Sequence, residues 1–438
     1  MNITWQQLGS CHLKELRLLA KLAADASLPL YIVGGCLRDA LLKRSSADFD
    51  LASAGDPTAL AKEFSRLIGG HWFSLDAQRG YSRVVYTPDV SPANRHPLQV
   101  DFAPLRAETI EADLALRDFS INAMATALVA PMSPESQLQL IDPLAAREDL
   151  VSGCIRMCSS EVLNADPLRI IKGLRHCAQL GFSIEPSTLE AFARYAPLLQ
   201  QVAGERIRNE LAKLLVAHHH LSAIASFILS GVASILGFHG DVHDTLQKYA
   251  TLQNQVTTIF NEPSITKYAK CDVGDDFNGL SLLRLISLLR CCNLDDGNID
   301  IMLGRLHFNR RLQKILSFAG KTEIDQFNNF CRLSCSVRGQ LLWLQQMSAP
   351  LPESLLVCAL LANMPIDLSE IGQLYTHSLA LLKNNKIVPL LTSKQIGQYL
   401  PDLVNKRIGT FYSDLNQQEI LGHVNNQQDA IDYLLKWH

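Results

Sequence analysis

Strand-like patterning stops about a third of the way along this 438-residue chain. Short runs rich in β-branched and aromatic residues, bounded by Gly, Pro, Asp or Ser, occur at Leu30–Val33, Phe49–Ala52, Trp72–Leu75, Arg83–Tyr86 and Leu98–Ala103. Helical patterns at Leu13–Asp25 and Leu37–Leu42 frame them. From about Asp149 onward apolar residues recur at i, i+3, i+4 and i+7, over Asp166–Leu180, Thr188–Tyr195, Glu205–Val216, Leu221–Leu229, Leu280–Leu289, Arg310–Phe318 and Gly339–Met347, with no convincing strand among them. A chain divided in this way predicts an α+β protein: a sheet-bearing head, then an all-helical remainder. Hinges are expected at Thr87–Pro97, Ala130–Glu135 and Cys271–Asn278.

Composition narrows the class. Apolar residues make up 47% and charged residues 19%, enough for a large core, and a net charge of −3 excludes a polycation that binds nucleic acid by bulk charge. No run approaches the ~20 apolar residues of a membrane span, and the first residues lack the apolar block of a signal peptide, so a soluble cytoplasmic protein is expected. Eleven cysteines are scattered without a CxxC pair, which fits reduced thiols. Cys154/Cys158 and Cys331/Cys335 each lie one helical turn apart and are taken as packing residues rather than half a zinc site.

The richest stretch runs from Tyr31 through Gly34-Gly35 and Arg38-Asp39 to Asp48-Phe49-Asp50. A strand entering paired glycines, with a helix opening after them, lets backbone N–H groups approach a phosphate. Arg38 on the first turn adds charge-assisted bonds, and Asp39 can hold it in place. Asp48 and Asp50 are two apart on a strand, so both carboxylates face one way. Such a pair is costly without a cation between the two, and an oxygen-only donor set suits Mg²⁺. Asp101, in a later strand-like run, joins them only if its strand is the neighbour; otherwise it is a strand-end acid.

These residues, in GGCLRDALLKRSSADFD, resemble the polymerase β-like nucleotidyltransferases, and more closely the class II tRNA nucleotidyltransferases (CCA-adding enzymes) and bacterial poly(A) polymerases. Four later segments agree in order: Asp113 to Ala125, Ile141 to Arg156, Asp166 to Phe182, and Glu205 to Leu215. The resemblance implies a nucleotidyltransferase head over 1–148, a helical neck with the base-reading helix over 149–218, a helical body over 219–325 and a tRNA-binding tail over 326–438. It implies catalysis by Asp48, Asp50 and Asp101 with Mg²⁺ on Asp48 and Asp50, and nucleotide contacts from Gly34, Gly35, Arg38, Arg117, Asn122, Asp166, Arg169, Lys172 and Arg175. In that family an acid and an arginine three residues apart read the base, as Asp166 and Arg169 would from one helix face, while Lys172 and Arg175 would face the triphosphate. The implied partners are tRNA, held by its acceptor and TΨC arm, with CTP and ATP as substrates. Nothing points to a membrane or a stable protein partner.

This sequence departs from the family pattern in four places. Ala165 replaces the Glu before Asp166, Lys172 replaces an arginine, and Leu116 replaces the first arginine of RRDF. Between the Asp101 strand and Asp113 lies only Phe102–Ala112, where enzymes adding all of CCA carry a longer flexible loop that helps switch the pocket from CTP to ATP. The short segment resembles the CC-adding branch; A-adding and poly(A)-adding enzymes remain alternatives, as does an inactive tRNA-binding relative. His218–His220, with His243-Asp244, vaguely resembles the metal set of HD phosphohydrolases, but without its final Asp these are taken as surface or packing residues. Lys394, Lys406 and Arg407 near the end are taken as an ordinary solvated face, with an RNA-facing surface as the alternative.

Overall fold

The computed structural model describes residues 3–9, 12–87, 97–130, 132–261, 269–292, 296–321, 337–346, 390–399 and 405–437. Two compact units emerge, Met1–Val202 with His218–Val232, and Ala203–Ala217 with Ala233–His438.

The first unit is built on a seven-stranded mixed sheet. In chain order it contains β1 (Leu30–Val33), α1 (Gly35–Leu41), β2 (Asp48–Ser53), α2 (Thr58–Ile68), β3 (His71–Asp76), β4 (Tyr81–Tyr86), β5 (Leu98–Pro104), α3 (Ile110–Ala115), β6 (Ala125–Ala127) and β7 (Leu140–Ile141). The strand order is β3-β4-β5-β2-β1-β6-β7. β2 runs parallel to β5, and the other neighbours are antiparallel. The five strand-like runs all became strands, each within two residues of the expected ends, and the helix expected over Leu13–Asp25 is present. β2 alternates exposed Asp48, buried Phe49 and exposed Asp50, the period-two pattern of a sheet with one covered face. Val33, Ala52, Ile110, Leu114, Ala123 and Ala125 form a buried cluster on the Asp50 side of the sheet.

The same unit continues into α4 (Ala146–Ser152), α5 (Glu161–Ala165), α6 (Arg169–Leu180) and α7 (Pro186–Tyr195). The helix expected over Asp166–Leu180 begins only at Arg169. Pro167 explains the correction: its ring disfavours helical geometry at the residue before it, and Asp166 is extended at φ −146°, ψ 95°. Gly173, in the middle of α6, lets two aromatic rings close on the helix; a Cβ there would lie 2.5 Å from the Phe192 ring and 2.7 Å from that of Phe119.

Among its described residues the second unit is helical apart from a small hairpin, Asp272–Gly274 with Phe277–Asn278. That hairpin replaces the hinge expected at Cys271–Asn278, because Asp275 and Asp276 adopt the left-handed backbone of a tight turn. A second exception to the all-helical reading is the short parallel pair Cys154–Ile155 and Ser183–Ile184 in the first unit. It removes Cys154 from the helix face it was expected to share with Cys158. Residues 88–96 of the Thr87–Pro97 hinge, residue 131, the Cys331/Cys335 pair and Met347 lie outside the described residues, as do the side chains of Lys406 and Arg407. No described helix is long and apolar enough to cross a membrane.

Candidate active site

Gly34 ends β1 and caps α1 with φ +83°, ψ −143°, a conformation that only glycine adopts freely. A Cβ here would sit 3.3 Å from Asp50 Oδ2 and 3.3 Å from Arg117 Nη1, so an acid and a base close directly over the backbone at this point. The register brings the third carboxylate alongside. In the parallel pairing of β2 with β5, Asp50 is the partner of Asp101, and Asp48 is the partner of Gln99. Burial, then the Asp101 carboxylate and Asp48, push the Asp50 carboxyl above its ordinary range, while Arg117 and Arg83 pull it back only in part. The strand adjacency that the sequence left open is therefore present.

A cavity of about 350 Å³ opens here. Of the residues expected at the site, Asp50, Asp101, Arg117, Asp166, Arg169 and Lys172 line it. Asp166 and Arg169 meet at the cavity although they do not share a helix. The Asp166 carboxylate accepts from the Leu168 N–H at 3.3 Å, turning the chain into α6. Arg169 Nη1 donates to the carbonyls of Leu116 and Val162, each at 3.3 Å. Two backbone oxygens thus orient this guanidinium in a chain that has Ala165 where the family pattern has Glu.

Asp48, Gly34, Gly35, Arg38, Asn122 and Arg175 are not among the residues lining the cavity. Arg38 donates through Nε and Nη2 to Asp39 at 2.9 and 3.0 Å, as its neighbour suggested, and through Nη1 to Asn122 Oδ1 at 2.7 Å. The Asn122 amide donates to Asp118 at 3.2 Å and reaches His176 Nε2 at 3.4 Å. Arg175 bonds Gln179 at 2.7 Å and His176 at 3.2 Å instead of turning to the cavity. The helix explains the correction: each step of three residues falls about 60° short of a full turn, so Arg175 has drifted well away from the line of Arg169. The result is a polar chain joining α1, the turn at Asn122 and α6 behind the cavity. Burial, with Arg175, holds the His176 ring neutral, well below its ordinary pKa.

Sequence reasoning missed the cations and acids that brace the site. Asp113 is 2% exposed and receives Arg106 Nε at 3.0 Å and Arg117 Nη2 at 3.3 Å. Burial opposes its charge, but these arginines hold the carboxyl below its usual range. Arg83 grips Asp101 through two bonds of 2.7 and 2.8 Å. The i,i+4 spacing of Asp113 and Arg117 was a readable signal; the Arg83–Asp101 pairing was not, because it depends on strand register. Among the described residues no three acidic, histidine or cysteine side chains form a ready metal cage. The donor set still fits a divalent cation: oxygen-only, with like charges crowding Asp50. Of the histidines at 218–220, His220 is buried while His218 and His219 are exposed, His218 edge-on to His219, whose ring lies within 3 Å of where a Cβ on Gly181 would be.

Carboxylates facing a cationic wall across one cavity suit a polyphosphate, and the relatives give the class. Residues 30–156 match the family described as "Poly A polymerase head domain", and residues 181–236 match "Probable RNA and SrmB- binding site of polymerase A". A CC-adding tRNA nucleotidyltransferase of Geobacter sulfurreducens is 40% identical over 219 residues, which is 50% of this chain and 48% of that protein. A CC-adding tRNA nucleotidyltransferase of Synechocystis sp. is 27% identical over 96% of this chain and 97% of its own length. The solved Thermotoga maritima CCA-adding enzyme complexed with tRNA shares the fold, with TM-score 0.65 and 20% identity over 100% of this chain and 99% of that one. Over these two segments the chain is similar to the poly(A) polymerase family, and its relatives include CC-adding, CCA-adding and A-adding tRNA nucleotidyltransferases.

Proposed function

We propose that this chain adds CMP to the 3′ end of tRNA, using CTP and releasing pyrophosphate, in the manner of the CC-adding relatives. The observation that carries the reading is the single cavity on which Asp50 and Asp101 face Arg117, Arg169 and Lys172. In the proposed reaction the terminal hydroxyl of the RNA attacks the α-phosphorus of the nucleotide in line. A new P–O bond forms, the bond to the β-phosphate oxygen breaks, and pyrophosphate leaves. Mg²⁺ held by Asp48 and Asp50, with Asp101, would ease ionisation of the hydroxyl and neutralise the leaving group. Arg117 and Lys172 supply positive charge to the triphosphate, and Gly34 lets the backbone approach it. Asp166 accepts from the exocyclic amine of cytosine while Arg169 donates to its ring nitrogen and carbonyl, so side chains take the part of a template.

The preference for cytidine is supported by the short connection after β5. Arg106 ties that connection down, giving its backbone N–H and its Nε to Asp113, both at 3.0 Å. A segment fastened at its middle has little freedom to reshape the pocket for a second base. We assign the head to 1–148, the neck to 149–218, the body to 219–325 and the tail to 326–438, with the helical parts gripping the acceptor and TΨC arm by shape and phosphate contacts. The test is to offer CTP, ATP and both to tRNA lacking its CCA end and to sequence the products. Two added cytidines are expected. Adenosine alone would assign an A-adding or poly(A)-adding enzyme, and tRNA binding without incorporation an inactive relative.

A further inference from the structure

The sheet already places a cation on the third carboxylate. Arg83 on β4, Asp101 on β5 and Asp50 on β2 are register partners in turn, forming a row across three strands. The Arg83 fork uses both oxygens of Asp101, Nε to Oδ1 at 2.7 Å and Nη2 to Oδ2 at 2.8 Å. Bidentate pairing of a guanidinium with a carboxylate is the strong form of this contact. Neither group is locked away, with 35% of the Arg83 side chain and 27% of Asp101 exposed, so the pair can open without disrupting the core. The positive charge of Arg83 also acts on Asp50, easing its ionisation. Arg83 therefore offsets the repulsion within the acidic group, and the same contact withholds the favoured lone pairs of Asp101.

We propose that Arg83 is a resident counter-ion that competes with the divalent cation for Asp101, so that the site fills only at a cation concentration high enough to open the Arg83–Asp101 fork. Arg83 is thus a positioning residue acting through Asp101. The inference rests on Asp48, Asp50 and Asp101 being the cation ligands. It sets the order of events: the fork opens as the cation arrives, and full ligation by Asp101 is a property of the loaded site alone.

Binding of manganese(II) to the nucleotide-free full chain, followed by the loss of the free-ion electron paramagnetic resonance signal, tests it. Arg83→Met removes charge and fork together and should lower the half-saturating manganese concentration about tenfold to a hundredfold, the weight of a charged hydrogen bond. Arg83→Lys keeps the charge and loses the fork, so its affinity should fall between Arg83→Met and the parent. Circular dichroism melting of the same samples reports folding; a mere cross-strand brace would lower the melting temperature and leave manganese affinity where it was. Unchanged or weaker affinity in a cooperatively melting Arg83→Met overturns the proposal. If that variant does not fold, parent-like affinity in Arg83→Lys overturns it. A parent chain that binds manganese no better than Asp50→Asn overturns the ligand assignment itself, a distinct failure.

Discussion

Asp50 stands directly opposite Asp101 in the parallel pairing of β2 with β5, and the two carboxylates repel each other. A carboxyl raised above its ordinary pKa binds its proton more tightly folded than unfolded, so its ionisation at neutral pH costs the fold stability. Asp50→Asn removes that cost. Cation-free protein carrying it should melt at a higher temperature than the parent, while CMP incorporation falls on the order of a thousandfold, as when a charge-stabilising group leaves an active site. Melting curves and single-turnover incorporation check both halves. A lower melting temperature would show that the repulsion is not there.

The buried His176 ring gives the first unit a pH response. Burial holds the His176 ring neutral in the fold, and its ordinary pKa is 6.5. The folded value lies below the unfolded one, so this contribution is fully present above pH 6.5 and is lost progressively as the pH falls below it. Asp118 adds in the same direction further down: burial opposes its charge, but the Phe119 N–H, the Asn122 amide and the nearby Lys172 charge hold its carboxyl below the usual range. Denaturant titrations at pH 7.5, 6.0 and 5.0 should show stability falling by up to about 1.4 kcal/mol per pH unit below 6.5. His176→Phe should flatten the profile over that window.

Arg169 donates from Nη1 to two backbone carbonyls, which orient its planar guanidinium. Arg169→Lys keeps the charge and loses the fork. The kcat/KM for CTP should drop about 10-fold to 200-fold, the cost of a mispositioned base contact, and the preference for CTP over ATP should shrink. Competition assays with both nucleotides measure it. An undiminished preference would remove Arg169 from base recognition.

Gly173→Ala should destabilise the protein, although alanine is the better helix former by about 1 kcal/mol. The added methyl would collide with Phe119 and Phe192, and overpacking of this kind costs about 1–3 kcal/mol. Thermal melting gives the sign directly.

Much of this site could be read from residue order because its parts are local. Gly34–Gly35, Asp48–Asp50 and Arg117 sit in turns and strands whose chemistry is set within a few residues. What escaped was governed by distance along the chain or by helix phase. Arg83 and Asp101 meet only through register, and Arg106 finds Asp113 across a loop. Arg175 leaves the cavity because a three-residue spacing does not keep one face of α6. The end of α5 at Asp166 was legible from Pro167, a signal that the long apolar periodicity outweighed.

That interruption has a consequence for how the choice of base can change. Asp166 hangs from an extended linker and Arg169 from the first turn of a separate rod. The two remain tied, because the Arg169 N–H donates to the Asp166 carbonyl at 3.0 Å and the Asp166 carboxylate accepts from the Leu168 N–H. A tilt of the rod therefore carries both arms together, so on the proposed reading acceptor and donor are retuned as one unit, with Lys172 lining the same cavity.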